Sequence, residues 1–346
     1  MFSRTRLLQQ LCQWRRHLPT VVPHYAVKSN NDDRLLRWLH EEGARFDCAS
    51  PNEIRQAIGV GVDPGHILYA NPCKSEKDIQ TAKQLGISST VVDSPEEVQK
   101  LLEARWYGDI LIRLKVPDAA SAMPFSRKFG APISLVPDIM HALRGQNGIR
   151  HRGWSFHVGS ICNDPNQYRT AIELCAEVSS TKTDIVDIGG GFIPDSEKFA
   201  TAAEEIRKAQ RLFPATTQWI AEPGRFFSSP VATLYVTVIG VKNKSCIYTI
   251  NDSVYGTFSN IPFDGQRPIY RLLADNVEKR PRVRATLFGH TCDSADCLAE
   301  EIDLPELRVG DILEVRNMGA YTLVSASMFN GFPLAERHYH DQTLIP

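Results

Sequence analysis

Residues 21–72 read VVPHYAVKSNNDDRLLRWLHEEGARFDCASPNEIRQAIGVGVDPGHILYANP, and this stretch decides the fold class. Three β-rich runs, VVPHYAVK, ARFDCAS and HILYANP, alternate with DDRLLRWLHEEG and PNEIRQAIGVG, whose apolar residues recur at helical spacing. The unit repeats roughly every 21 residues for about five rounds, which is βα periodicity. Working outward adds STVVDS, DILIRLKV, GWSFHVGS, DIVDIGGG and QWIAEPGR, so that eight strands alternate with helical segments. Eight such units in about 225 residues predict an α/β fold, a closed (β/α)8 barrel over residues 1–227, with a doubly wound open sheet as the alternative.

Nearly every predicted strand ends in a polar or special residue: Lys28, Asp47, Asn71, Asp93, Arg113, His157, Gly189 and Glu222. In a barrel these ends converge on one face, where such enzymes do their chemistry. After Phe227 the texture changes to VATLYVTVIGV, SCIYTIND, RVRATLFG and GDILEVRNMGAYT, which predicts a C-terminal β domain over residues 228–346.

The 346 residues carry 39 Lys and Arg against 40 Asp and Glu, a net charge of −1, which excludes a whole-molecule field for nucleic acid or an anionic membrane. No apolar run approaches the ~20 residues of a membrane span. The cysteines are scattered, with no C-x-x-C and no Cys/His set at metal spacing, so a reduced, cytoplasmic protein without a metal is expected. The first 31 residues contain Arg4, Arg6, Arg15 and Arg16 but no acid, which suits a presequence; Leu7, Leu8, Leu11 and Trp14 lie at helical spacing, which favours a structural helix.

Gly189, Gly190 and Gly191 follow an apolar strand and precede a helix, so their N–H groups are candidates for a phosphate cup, with Ser160 and Arg225 as neighbours; a tight turn is the plain alternative. Lys28 ends the first strand, where desolvation would make its amine a nucleophile toward a carbonyl, unless it pairs with Asp47 or Glu53 for structure alone. Glu222 ends the last strand, adjacent to the first in a closed barrel, and a buried carboxylate there needs a cationic partner such as a pyridinium nitrogen. Phosphate cup, lysine and carboxylate are the groups that pyridoxal 5'-phosphate requires.

HYAVKSN, RFDCASPNEI, ILYANPCK, WSFHVGSICNDP, DIGGGF, IAEPGRFF, NDSVYGTFSNIPFD, GHTCDSAD and NMGAYTLVSASMFNGF occur in one consistent order from about Leu7 to Phe332. The set resembles the eukaryotic-type ornithine decarboxylases, pyridoxal phosphate enzymes of the alanine-racemase-fold group. The resemblance implies that Lys28 carries the cofactor and that Glu222 keeps the pyridine nitrogen protonated. His157 would stack on the ring, Arg113 would orient Lys28 and Glu222, and Asp47 and Glu53 would complete the polar shell. The phosphate would rest on Gly189, Gly190, Gly191, Ser160, Arg225 and Tyr321. The family works as a head-to-tail homodimer, whose second subunit would donate Cys292, Asp293, Tyr255 and Phe329; Cys292 would return a proton to the α-carbon after CO2 leaves. Lys128 and Asp296 match an intersubunit ion pair.

By the same resemblance Asp264 and Asp293 place two carboxylates around the far amine of a basic amino acid, which favours ornithine, and putrescine as product, over lysine and both over arginine. Phe263 replaces the usual Tyr before Asp264, and His290 the usual Pro before the cysteine; either would retune chain-length preference. The chain begins about one strand later than its relatives and ends soon after the FNGF motif, so turnover through a C-terminal tail is not expected; an antizyme-type regulator stays open as a partner, without support in the sequence. An antizyme-inhibitor-like regulator is the rival reading, but such proteins lose some of the lysine, phosphate or cysteine positions, and Lys28, Glu222, Arg225, Cys292 and Asp293 are all present. A racemase would not need Asp264 with Asp293.

Overall fold

The computed structural model describes residues 1–179 and 183–341; residues 180–182 and 342–346, the end of the expected β domain, lie outside the described residues. The chain divides into two compact units, Gln10–Phe226 and a second formed by Met1–Gln9 with Phe227–Pro346.

The first unit is the closed barrel, and its strands are the eight anticipated ones: β1 (Val21–Ala26), β2 (Arg45–Cys48), β3 (Ile67–Tyr69), β4 (Ser89–Val92), β5 (Gly108–Arg113), β6 (Ile149–Ser155), β7 (Ile185–Asp187) and β8 (Gln218–Ala221). All neighbours are parallel, and closure is made by β8 on β1 and β6 on β7, which excludes the open sheet. The outer helices begin where the sequence supplies a side-chain acceptor: Asp32, Ser50, Ser75, Ser94 and Asp195 each accept from backbone N–H groups of the first turn, in two cases ahead of a proline whose missing N–H costs nothing there. Leu68, Val91, Leu111 and Ile220 come from four strands and pack on one another, so the barrel interior is filled. Leu7, Leu11 and Trp14 are buried along the helix Arg4–His17, which gives the N-terminal periodicity its structural meaning.

The second unit holds a six-stranded sheet of β9 (Leu234–Lys242), β10 (Ile247–Ile250), β11 (Tyr270–Leu273), β12 (Arg282–Phe288), β13 (Cys297–Pro305) and β14 (Ile312–Val315), in the order β11-β14-β9-β10-β12-β13. Its core is built from Val236, Val238, Tyr248, Ile250, Leu287, Leu313 and Val315. Residues 1–9 group with this sheet rather than with the barrel to which the 1–227 boundary assigns them. The physical reason is pairing: Phe2 and Ser3 run parallel to Tyr339 and His340, and Arg6 donates to the Pro230 carbonyl and, at 2.7 Å, to Thr233 Oγ1. No helix among the described residues is long and apolar enough to cross a membrane.

Candidate active site

In a parallel barrel the C-terminal ends of all strands lie at one end, and the polar residues anticipated there arrive together. Ala26 of β1 stands opposite Asp47 of β2, so Lys28, two residues beyond in a short 3-10 turn, reaches Asp47 Oδ2 at 2.6 Å. The ammonium is therefore ion-paired rather than desolvated: the Lys28 side chain is 38% exposed while that of Asp47 is 0%. The second Asp47 oxygen is buried with no hydrogen-bond partner among the described residues, an acceptor left over for another group. Glu53, on the next helix, takes the Ala49 N–H at 2.6 Å, and burial raises its pKa.

Past β6, His157 accepts the Gly159 N–H on Nδ1 at 3.0 Å, so the proton of the neutral ring belongs on Nε2. Burial, reinforced by the cations of Arg113 and Lys28, pushes this imidazole well below its usual range. Arg113 lies over the Phe129 ring at 5.1 Å, and no direct hydrogen bond from it to Lys28 or Glu222 is found among the described residues; its influence on Glu222 is electrostatic. Ser160 is not on a barrel strand but opens a ribbon with residues 121–123, from which its Oγ accepts Arg225 Nη2 at 3.1 Å.

The three glycines are dictated by crowding. A Cβ on Gly190 would sit 2.8 Å from the Glu222 carbonyl and 2.9 Å from His157 Nε2, and Gly189 and Gly191 take φ of +62° and +98°. Gly189 spends its N–H on Asp187 at 2.9 Å, whereas the N–H groups of Gly190 and Gly191 are not used by any hydrogen bond among the described residues. The cup is thus narrower than three donors. Glu222 is buried, and its pKa is driven far up by burial and by the neighbouring charges of Asp187 and Asp47.

Two supporting residues were missed by sequence reasoning. Asp187 is fully buried at the end of β7, accepts the Gly189 N–H and, at 3.1 Å, the Ser155 hydroxyl, and is pushed up to about 6 by burial; an acid inside an apolar strand was its signal. Tyr168 donates to the Gly190 carbonyl at 3.0 Å and stacks on Phe192.

The sheet unit gathers another group. Tyr255 donates to Asp293 Oδ2 and stacks on Phe329 at 4.2 Å, and that hydrogen bond holds the Asp293 carboxyl below its ordinary pKa. Cys292 is exposed, contrary to a small core residue, and both its N–H (3.1 Å) and Sγ (3.4 Å) face Asn330 Oδ1, a partner the sequence did not point to. Asp264 is buried on the short helix Asn260–Asp264, and Phe263 beside it is 66% exposed. His290 stacks on Phe332 at 3.8 Å. Tyr321 belongs to this unit and adopts a φ of +55°. Asp296, expected at an intersubunit pair, is 1% exposed and accepts Val254 N–H, Thr291 N–H and the Thr291 hydroxyl, so it already shapes its own loop.

A paired lysine, a glycine turn flanked by serine and arginine, a neutral histidine and a buried carboxyl on one end of a barrel fit pyridoxal phosphate: the leftover Asp47 oxygen and the two unused glycine N–H groups are places where such a molecule would be held. The class is therefore a barrel-based pyridoxal phosphate enzyme. Residues 4–229 match the family described as pyridoxal-dependent decarboxylase, pyridoxal binding domain. The chain is 38% identical to the ornithine decarboxylase of Caenorhabditis elegans over 94% of its length and 83% of the relative's, and 37% identical to antizyme inhibitor 2 of Xenopus laevis over 93% and 76%. Among solved structures it is similar to the arginine decarboxylase of Paramecium bursaria Chlorella virus (34% identity, TM-score 0.93, 98% and 95% of the two chains covered). It is also similar to the lysine/ornithine decarboxylase of Vibrio vulnificus complexed with putrescine (32%, TM-score 0.89, 98% and 93%). The chain belongs to the pyridoxal-dependent decarboxylases of the eukaryotic ornithine decarboxylase type; it is an enzyme, uses pyridoxal 5'-phosphate and acts on a free amino acid as its small-molecule substrate.

Proposed function

We propose that the protein decarboxylates L-ornithine to putrescine as a cytoplasmic homodimer with shared active sites. The reading is carried by one observation, the Lys28–Asp47 pair set beside the buried Glu222 at the barrel's C-terminal end. Bound there, pyridoxal phosphate supplies the electron-withdrawing ring that takes up the electron pair left when CO2 departs. Lys28 is the amine that would tether the cofactor, and Asp47 is placed to aim it. Glu222 would keep the pyridine nitrogen protonated by accepting its N–H as a carboxylate; the burial and neighbouring acids that raise its own pKa mark a site in need of such a cation. His157 would pack against the ring as a neutral imidazole, adding no charge to oppose that proton. Gly190, Gly191, Ser160 and Arg225 would hold the phosphate, with Tyr321 added by the family resemblance, and Arg113 and Glu53 would set the field around the cofactor. Cys292, held by Asn330, returns a proton to the α-carbon.

Asp293 supports ornithine, because its hydrogen bond from Tyr255 favours the ionised form that a terminal ammonium needs. Asp264 would be the second carboxylate, with Phe263, Tyr255 and Phe329 as walls. The test is kcat/KM for ornithine, lysine, arginine and diaminopimelate with product identification. Ornithine is expected first, and lysine, one methylene longer, lower by about 10–200-fold. Arginine or diaminopimelate as best substrate would refute the role of the two carboxylates, and inactivity on all four would return the regulator.

A further inference from the structure

The sheet unit carries a second concave site that this chemistry leaves unused. A cavity of about 370 Å3 has Asn260, Gln266, Arg267, Arg271, Glu314 and Arg316 in its wall. Arg271 and Glu314 face one another across the β11–β14 pair. Arg271 Nη1 and Arg316 Nε turn to the same atom, Glu314 Oε2, at 3.5 and 3.1 Å. Arg267 is exposed, and its guanidinium makes no ion pair among the described residues. Three guanidiniums thus border one cavity whose lining carboxylate is already shared.

The buried side of the cavity adds a polar group in need of a partner. Asn260 is 2% exposed, its Nδ2 has Met318 Sδ at 3.8 Å, and its Oδ1 has no partner among the described residues. By turning over, such an amide offers either its oxygen or its N–H donors to whatever fills the space. A cavity of this size suits a small molecule, and the fork of arginine suits the paired oxygens of a phosphate or carboxylate.

We propose that this cavity binds a small oxyanion with two or more negative charges, and that its occupancy acts on Asp264. The coupling runs through the helix Asn260–Asp264, which the cavity residues bracket. Gln266 N–H donates to the Asn260 carbonyl at 3.0 Å, and Gln266 Nε2 to the Asp264 carbonyl at 3.1 Å. A ligand that engages Asn260 and Gln266 therefore holds both ends of the turn that carries Asp264. The coupling rests on Asp264 being the substrate carboxylate; the binding does not.

Cofactor-loaded protein titrated calorimetrically with pyrophosphate, and separately with citrate, tests the binding, with the cofactor absorbance followed to show that no cofactor is displaced. Saturable binding of at least one of them that is weakened about 10-fold by Arg267→Ala or Arg316→Ala, and unchanged by Arg211→Ala on the barrel, is expected. The tighter probe identifies a phosphate or a polycarboxylate as the ligand class. No saturable binding, or equal binding in the Arg267→Ala and Arg316→Ala proteins, overturns the site. The bound anion is further expected to change the KM for ornithine by about 5-fold or more while kcat changes less. Normal binding with unchanged KM overturns the coupling, and the titration decides the binding equally well for a protein without decarboxylase activity.

Discussion

Asp187→Asn probes the cost of a buried acid that titrates together with its neighbour Glu222. Asp187 sits at the end of β7 with one oxygen on the Gly189 N–H and the other on the Ser155 hydroxyl, and burial lifts it from 3.8 to about 6. In the unfolded chain the same carboxyl ionises near 3.9. Between those values the unfolded state has released its proton and the folded state has kept it, so stability falls as pH rises through that window and stays low above it. Two units correspond to roughly 3 kcal/mol, of which about 1 kcal/mol is lost between pH 5 and 7. Asparagine keeps the acceptor for Gly189, lets the Ser155 hydroxyl turn round to accept, and has no proton to lose. The variant should match the wild type near pH 4 and exceed it at pH 7. The assay is urea unfolding of the cofactor-free protein, followed by the fluorescence of barrel tryptophans, at a series of pH values. Parallel pH profiles for the two proteins would show that Asp187 is not the group responsible.

Gly190→Ala should weaken cofactor binding, because the added methyl must displace His157 or the Glu222 carbonyl; an overpacking cost of about 1–3 kcal/mol corresponds to about 5–150-fold in a spectrophotometric titration. An unchanged Kd would mean that the glycine turn is looser than the contacts imply. Lys28→Ala and Cys292→Ala, each inactive alone, should recover about one quarter of wild-type activity when mixed in equal amounts, since half of the dimers then hold one intact shared site. No recovery after confirmed subunit exchange would rule out shared sites.

The barrel was legible because each βα unit announces itself locally: an apolar strand, a polar end, a serine or aspartate cap and an amphipathic helix. The same locality makes Lys28, Gly189 and Glu222 visible as strand-end residues. Two sheet strands were not legible. Tyr270–Leu273 is four residues long, and Cys297–Pro305 carries Glu300, Glu301 and Asp303 with a register shift against β12 and a φ of +53° at Glu301, which breaks the two-residue alternation. That Lys28 is ion-paired rather than desolvated follows from the β1–β2 register, and Asn330 becomes a partner of Cys292 only when two distant loops meet. The sequence offered the Lys28 pairing only as one of two readings, and the Asn330 contact has no local signature at all.

The pairing of Phe2 and Ser3 with Tyr339 and His340 makes the barrel an insertion within the sheet unit rather than its predecessor. During synthesis Gln10–Phe226 leaves the ribosome complete, with every strand partner already present, while residues 1–9 must wait for a segment made more than one hundred residues later. Closing a loop of that length is slow compared with forming local βα contacts. Residues 1–9 are thus made before the barrel yet settle after it, and until they do Phe2 and Ser3 lack the strand that pairs with them.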